Sequence, residues 1–148
     1  MKTAGKVFIP LLVALMLLAA SPFQTYAFEG QLYVSIENYK VKDIDGDGVE
    51  DLQLRGKAEL SLDGSRGNGE VKIVVSLHLE HESGSSLIIS KTLHVDLKGG
   101  KAEVEFIFTV FSLKAGDHLA YLTAYCRGLY AESESIIIDP PGGTVGPI

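Results

Sequence analysis

The sequence has few of the residues that usually cross-link or stiffen a small exported protein. Its 148 residues include one cysteine, no tryptophan and five prolines. A single cysteine, Cys126, cannot form an internal disulfide, so the fold must be held together by its hydrophobic core. Because Cys126 lies in an apolar strand pattern, we expect a buried, inert thiol rather than a nucleophile.

Positive charge is also scarce. The chain carries 13 lysines and arginines against 19 acids, a formal net charge of −6 at pH 7. Nucleic-acid binding and binding to anionic lipid both depend on clustered cations. No basic stripe is present, so the composition argues against both classes of partner.

Motifs of the common enzyme classes are missing too. The chain has no H-E-x-x-H zinc motif, no G-x-S-x-G nucleophile elbow and no phosphate-binding G-x-x-x-x-G-K-[ST]. A small domain made of strands also offers little room for a deep catalytic cleft. We therefore expect no enzymatic activity, with a small secreted enzyme or inhibitor as a remaining alternative.

Long apolar runs are confined to the N-terminus. Val7 to Ala20 form one such run, preceded by the basic residues Lys2 and Lys6. The run is short for a membrane-spanning helix, and its basic flank is typical of a secretory signal peptide.

A cleavage site follows this run. Thr25 and Ala27 place small residues at the −3 and −1 positions of a signal peptidase site. We expect residues 1–27 to be removed, and the protein to be secreted or held at the cell surface. Two alternatives are a pilin-type cut after Gly5 and retention of the segment as an anchor.

The most specific feature of the sequence is the acidic segment Asp43-Ile44-Asp45-Gly46-Asp47-Gly48-Val49-Glu50-Asp51. Acids occupy its first, third, fifth and ninth positions, and Gly48 at the sixth position permits a sharp bend. Ca²⁺ takes six to eight oxygen ligands, which alternate residues of a tight turn can supply. The seventh position would contribute its backbone carbonyl. The pattern predicts a calcium site formed by Asp43, Asp45, Asp47, Val49 and Asp51.

This segment resembles the D-x-D-x-D-G calcium loops of EF-hands, dockerins, thrombospondin repeats and integrin-type propellers. An EF-hand has a bidentate glutamate at the twelfth position, where this chain has Leu54. The propeller-type variant is closer, because an acid at the ninth position ends the set and a strand follows. That resemblance implies side-chain ligation by Asp43, Asp45, Asp47 and Asp51. The alternative is a solvated acidic turn without an ion, although neighbouring carboxylates repel one another.

Apolar and polar residues alternate with period two from Phe28 onward. Turn signals divide this part into seven strands, the last at Ser133–Asp139, and predict an antiparallel seven-stranded β-sandwich over residues 28–139. Gly56 interrupts one apolar face, which indicates a bulge or the close approach of another strand. Gly99–Gly100 is a short turn, consistent with a hairpin, and a flexible Pro/Gly tail is expected at 140–148. The clearest inward faces carry Leu52, Leu54, Ala58, Leu60 and Leu62; Val71, Ile73, Val75, Leu77 and Leu79; and His118, Ala120, Leu122, Ala124 and Cys126.

The stretch from Ala115 to Ala124, followed by a turn and a last strand, resembles the final hairpin of PKD-type and other immunoglobulin-like domains. His118 stands where that family often has tyrosine. The missing tryptophan and missing disulfide exclude the antibody branch of that superfamily. The resemblance implies an immunoglobulin-like sandwich.

Two further groups of residues suggest sites. If a hairpin forms near Gly84, His78 and His94 would lie close together with Glu80 nearby, and the three could hold zinc or copper; otherwise they are exposed polar residues. Tyr121 and Tyr125 share one strand face and would suit sugar stacking or a protein interface, unless that face is the core.

We therefore expect a secreted or cell-surface, non-enzymatic binding or adhesion module with one structural calcium ion. Its partner would be a protein or carbohydrate ligand. The main alternative is self-assembly as a subunit of an extracellular filament or surface layer, with Phe28 to Val41 donated to a neighbouring chain's sheet.

Overall fold

The computed structural model describes residues 29–63 and 69–139. The predicted signal peptide at 1–27 and the predicted tail at 140–148 lie outside the described residues. Within the described part of the chain, no helix is long and apolar enough to cross a membrane.

The described residues form strands and turns, as the alternation of apolar residues predicts. All strand pairs are antiparallel, and the predicted antiparallel all-β sandwich is confirmed. The strands are β1 (Gly30–Lys42), β2 (Asp51–Leu62), β3 (Gly69–His81), β4 (Ser86–Leu97), β5 (Lys101–Val110), β6 (His118–Cys126), β7 (Leu129–Glu132) and β8 (Ile136–Ile138).

Two sheets make up the sandwich. The first has the strand order β1–β2–β5, and the second has the order β4–β3–β6–β7, with β8 also paired to β6. In constant-type immunoglobulin domains the fourth strand lies in the sheet of the first, second and fifth strands. Here β4 pairs with β3 instead, so the second sheet is the larger one.

The core lies between the sheets and is filled by alternate residues of each strand. The inward faces predicted for β2, β3 and β6 are buried, except that Leu62 at the end of β2 is half-buried against the core, as the period of two requires. Cys126 is a free, buried cysteine, and burial raises the pKa of its thiol. The predicted inert thiol therefore sits in the core.

Gly56 marks both a bulge and a close approach. In the register of β1 with β2, Ile36 pairs with Gly56 and Asn38 with Arg55, so Glu37 is an extra residue on β1. A Cβ atom at Gly56 would lie 2.6 Å from Cζ of Phe106 and 2.7 Å from Cδ1 of Leu122. The glycine is required because side chains of both sheets fill this space.

The chain end differs from the prediction of one strand at Ser133–Asp139. Arg127 and Gly128 form a two-residue turn with φ of 45° and 90°, the geometry that closes tight hairpins, so β7 returns along β6 at once. The N–H of Leu122 then donates to the Ser133 hydroxyl at 2.8 Å. This side-chain acceptor interrupts the ladder, and pairing with β6 resumes in the short β8.

The strands on either side of the Gly99–Gly100 turn also differ from the prediction, because they do not continue as a hairpin. Lys98 and Lys101 exchange backbone hydrogen bonds of 2.9 and 3.1 Å across it, so the expected turn forms. The strands it joins, β4 and β5, then enter different sheets. The predicted hairpin is therefore limited to one bridge.

Candidate metal centre

The acidic loop joins β1 to β2, across the pair formed by Lys42 and Asp51. It brings the four aspartates together, because one carboxylate oxygen from each lies within 4.8 Å of the others. Three of these side chains are exposed and the fourth, Asp51, is 0% exposed. The side chains predicted to be ligands thus converge on one point at the surface.

Asp43 organises the first part of the loop. Its Oδ1 accepts hydrogen bonds from the N–H groups of Gly46 (2.8 Å) and Asp47 (3.1 Å), and its Oδ2 accepts one from Gly48 (2.8 Å). Gly46 and Gly48 have φ of 77° and 87°, which glycine adopts without strain. The N–H of Gly48, followed by those of Gly46 and Asp47, holds the pKa of Asp43 below its usual value against the effect of burial.

Val49 lies in the middle of the second half of the loop. Its N–H donates to Oδ1 of Asp47 at 2.9 Å, while the N–H of Asp47 donates to Oδ1 of Asp45 at 3.4 Å. The Val49 side chain is exposed, as expected for a residue that would contribute only its backbone. Ligation by the Val49 carbonyl stays a prediction.

Asp51 ties the loop to the body of the domain. Its Oδ2 accepts hydrogen bonds from Ile44 (2.8 Å) and Asp45 (3.3 Å), and its Oδ1 accepts one of 2.7 Å from Ser112. Burial acts to raise the pKa of Asp51, but the N–H groups of Ser112, Ile44 and Asp45 together lower it. The buried carboxylate is therefore held in its charged form.

The contact with Ser112 was missed by sequence reasoning. Ser112 lies 61 residues from Asp51, in the connection between β5 and β6, and has φ of 58°. Beside it, the N–H of Leu113 donates to the Glu50 carbonyl at 2.7 Å. No local sequence pattern predicts such a contact, because it depends on β2 and β5 being neighbours in the first sheet.

The loop retains the capacity to bind a cation. An ionised carboxylate has about four lone-pair sites, and Asp43 and Asp51 each use three on N–H groups. Asp45 and Asp47 each accept one such bond, so most of their sites remain. Burial and the Asp47 carboxylate raise the pKa of Asp45. A bound cation would relieve this repulsion, and the four aspartates could hold a metal ion.

The second predicted metal site, at His78 and His94, is wrong because the two residues lie far apart in the sheet. The predicted hairpin forms, but its register pairs His78 with Ile88 and His94 with Lys72. Six residues of β4 therefore separate the two positions, about 20 Å at the rise of a strand. His78 stacks on Tyr121 with ring centroids 4.5 Å apart, and His94 lies 3.6 Å from Glu70.

The tyrosines of β6 point away from the core, as predicted if they form a binding surface. Tyr125 is 51% exposed and pairs across strands with Tyr130, which is 63% exposed. Val74 lies opposite Tyr125 on its other side. We call Val74, Tyr125 and Tyr130 the aromatic face.

The proposed donor segment pairs within its own chain. β1 is hydrogen-bonded to β2 from Gly30 to Lys42, so it closes its own sheet in this structure, the arrangement that competes with strand donation.

No protein-family model and no curated protein matches this chain. Among solved structures, it is similar to the crystal structure of Bacteroides uniformis beta-glucuronidase at 13% identity and a TM-score of 0.43, over 74% of this chain and 13% of that one. Bacteroides uniformis beta-glucuronidase 2, covalently bound to cyclophellitol-6-carboxylate aziridine, is similar at 14% identity and a TM-score of 0.44, with the same coverages.

A Northeast Structural Genomics Consortium target is similar at 7% identity and a TM-score of 0.42, over 76% of this chain and 89% of that one. The chain thus spans about an eighth of the length of the two glucuronidases. Likenesses this distant carry no functional argument, so the function has to be inferred from the residues of this chain.

Proposed function

We propose that this chain is an exported, non-enzymatic binding or adhesion module of immunoglobulin-like type, stabilised by one structural calcium ion. The observation that carries the proposal is the convergence of four carboxylates within 4.8 Å at the β1–β2 turn. An all-oxygen donor set of this kind suits a hard cation, and Ca²⁺ accepts the irregular geometry of a flexible loop. The proposed ligands are Asp43, Asp45, Asp47, the Val49 carbonyl and Asp51.

The ion would have a structural effect. Asp51 already connects the loop to Ser112 through a partly buried hydrogen bond, so neutralising the aspartates would stabilise both the β1–β2 turn and the β5–β6 connection. A ligand that binds only the native state stabilises it in proportion to the logarithm of its concentration. Calcium would thus act on stability and not on chemistry.

Calcium binding is tested by calorimetric titration of metal-free protein with CaCl₂ and with MgCl₂. We expect one calcium per chain, and weaker binding of magnesium because it requires near-octahedral geometry. In ¹⁵N-labelled protein, the amide signals of Ser112 and Leu113 should shift together with those of the loop. Asp96→Ala, which removes an exposed acid from β4, is the control. A titration without heat and without shifts at the loop would remove the ion from the proposal.

The binding surface we propose is the aromatic face. Tyr125 and Tyr130 lie opposite each other on neighbouring strands, and their rings offer apolar surfaces with a polar hydroxyl at the edge. The hydroxyl of Tyr130 lies 3.5 Å from Glu132, so a charged acceptor flanks the rings. This combination suits a carbohydrate, whose apolar ring faces stack on aromatics while its hydroxyl groups donate to carboxylates, or a protein ligand.

A glycan array tests the carbohydrate form of this proposal. Binding should be lost in the double variant Tyr125→Ser/Tyr130→Ser and kept in Tyr33→Ser, which removes an equally exposed tyrosine from the first sheet. Equal signals from the two variants would exclude the aromatic face as the binding surface.

A subunit of an extracellular filament or surface layer is the alternative. The observation in its favour is the exposed apolar start of β4, an edge strand on which Leu87 and Ile88 are 44% and 61% exposed. Unpaired edges can add a strand from another chain. Electron microscopy of concentrated protein tests this alternative, and a strictly monomeric peak in light scattering would contradict it. A panel of hydrolase and protease-inhibition assays tests the remaining enzyme or inhibitor alternative.

A further inference from the structure

One side of the sandwich is bordered by two edge strands, β4 in the second sheet and β5 in the first. Among the described residues, β4 pairs with β3 and β5 with β2, and the two are joined only by the bridge between Lys98 and Lys101. Leu87, Ile107 and Phe111 expose apolar surface along this side. It therefore has both the unpaired backbone groups and the apolar surface that favour the addition of another strand.

The free backbone groups of β5 can be assigned to particular residues. Lys101 directs both its N–H and its C=O away from β2, to Lys98. Every second residue of an antiparallel strand points the same way, and the register of β5 with β2 has no shift. The row directed away from β2 is therefore continued by Glu103, Glu105, Ile107 and Thr109, and we call these four residues the open edge of β5.

Lys91 interrupts the apolar inward face of β4. It pairs across strands with Val75, which is fully buried, so its side chain leaves β4 on the core side. Its neighbours on that face, Ile89 and Leu93, are apolar and pack against the core. An ammonium group directed at the rim of a core loses part of its hydration, which an apolar side chain would not. Packing alone therefore gives no reason for a lysine at this position.

The ammonium group of Lys91 reaches the opposite sheet. Its Nζ donates to the backbone carbonyl of Ile107, on the open edge of β5. It also lies 5.3 Å from the centroid of the Phe108 ring, within the range of a cation–π contact. Lys91 thus supplies, from its own chain, the kind of donor that an added strand would bring to this carbonyl.

We infer that Lys91 prevents two copies of this chain from pairing through the open edge of β5. An incoming strand would have to displace a charged donor from the Ile107 carbonyl and cover an ammonium group. Natural sheets protect their edges with inward-pointing charges of this kind. The inference is independent of the calcium site, the aromatic face and the β4 edge.

The excluded partner is the β5 strand of a second copy. Two β5 strands related by a two-fold axis run antiparallel, so each edge offers the other the same alternating donors and acceptors. The acids of this strand are partly neutralised within the chain. Glu103 lies 3.7 Å from Lys57, and Glu105 lies 3.8 Å from Arg55. Their repulsion across such an interface is thereby reduced, and Lys91 is left as the obstacle.

The test compares the association of Lys91→Met with that of the parent protein, by sedimentation velocity over a range of concentrations at fixed pH and calcium. Methionine keeps the length of the side chain and removes the charged donor. The variant should dimerise at concentrations at least about tenfold lower than the parent, since a hydrogen bond to a charged group no longer has to be broken. Lys91→Arg, which keeps the charge, should behave like the parent. Lys72→Met, which removes the same charge from the outer face of β3, should do so too.

Two further measurements separate strand pairing from a loss of structure. In the Lys91→Met dimer, the amides of Glu103, Glu105 and Ile107 should exchange hydrogen more slowly than in the monomer. The double variant Lys91→Met/Glu105→Pro should be monomeric again, because proline offers no N–H to an incoming strand and is tolerated where the N–H faces solvent. If Lys91→Met does not fold, Lys91→Ala makes the same comparison.

Three results would overturn the inference. The first is a Lys91→Met variant that associates no more than the parent or than Lys72→Met, whether or not its monomer is destabilised. The second is association without protection of the open edge of β5. The third is association that persists in the double variant with proline.

Discussion

Strand β2 contains two buried positions whose surroundings differ in kind: one is surrounded by hydrogen-bond donors and the other by apolar side chains. Asp51, at its start, is a fully buried charge surrounded by three N–H donors. Gly56, five residues later, is surrounded by Phe106 and Leu122 with no room for a Cβ. The first position depends on electrostatics and hydrogen bonds, whereas the second depends on volume.

This difference predicts that the start and the middle of β2 respond to different perturbations. Metal, pH and charge substitutions should act at the loop, and changes of side-chain size should act in the core. Because Asp51 and Gly56 are about 16 Å apart along the strand, their effects on the free energy of unfolding should add. Each of the following experiments tests that separation.

The largest effect is expected in the core, from Phe108→Ala. Phe108 is 1% exposed and packs edge-on against Phe106, with ring centroids 5.7 Å apart. Truncation of a buried phenylalanine lowers the free energy of unfolding by about 3–5 kcal/mol. Urea denaturation should show the same loss with calcium and with chelator. A loss confined to one of the two conditions would mean that core and loop are coupled.

Next in size is the effect of calcium at the loop. At a hundredfold excess over its dissociation constant, calcium should raise the free energy of unfolding by about 2.7 kcal/mol, measured as a melting temperature that falls in EGTA and returns with Ca²⁺. Asp45→Ala should abolish this difference, and Asp96→Ala should keep it.

Asp45→Ala should also behave differently in metal-free buffer. Burial and the carboxylates of Asp47 and Asp51 raise the pKa of Asp45, so its charged form opposes folding at neutral pH and the variant should melt at the same temperature as the parent or higher. A variant that is destabilised to the same extent with and without calcium would indicate that Asp45 has a packing role.

A smaller loss is expected from Gly56→Ala. The added methyl group would lie 2.6 Å from Cζ of Phe106, and overpacking of a core costs about 1–3 kcal/mol. Phe106→Leu removes the ring atoms in the way, so the double variant should lose less than the sum of the single losses. Strict additivity would show that the methyl group is accommodated elsewhere.

The smallest effect is expected in acid, in metal-free buffer. The pKa of Asp51 is lowered from 3.8 in the folded state. Its charged carboxylate therefore stabilises the fold fully at a pH above the pKa of the unfolded chain. This stabilisation is lost as the pH falls through the lower pKa of the folded protein. The melting temperature should therefore decrease from pH 5 to pH 3. In Asp51→Asn this decrease should be shallower, and in Asp96→Asn it should match the parent protein.

Much of the fold could be predicted from the sequence because strand periodicity is local. The inward faces of β2, β3 and β6 were predicted residue by residue, since successive side chains of a strand alternate between faces. Spacing also predicted that Asp43, Asp45 and Asp47 would converge, because a tight turn brings alternate residues to one side. The division of the last strand was missed, because it depends on the Ser133 hydroxyl replacing a backbone acceptor.

Contacts between distant parts of the chain were not predictable in this way. The alternation of β4 is compatible with either sheet, and only its register with β3 separates His78 from His94. One of the three hydrogen bonds to the Asp51 carboxylate likewise comes from Ser112, 61 residues away.

The alternating strands, the buried position of Cys126 and the aspartate spacing of the loop follow from the sequence alone, because each is encoded within about a dozen neighbouring residues. The assembled sandwich added the Ser112 hydrogen bond, the close contact at Gly56 and the contact of Lys91 with β5. These depend on which strands are neighbours and which sheets face each other, and such choices are made by the packing of the whole core rather than by any one segment.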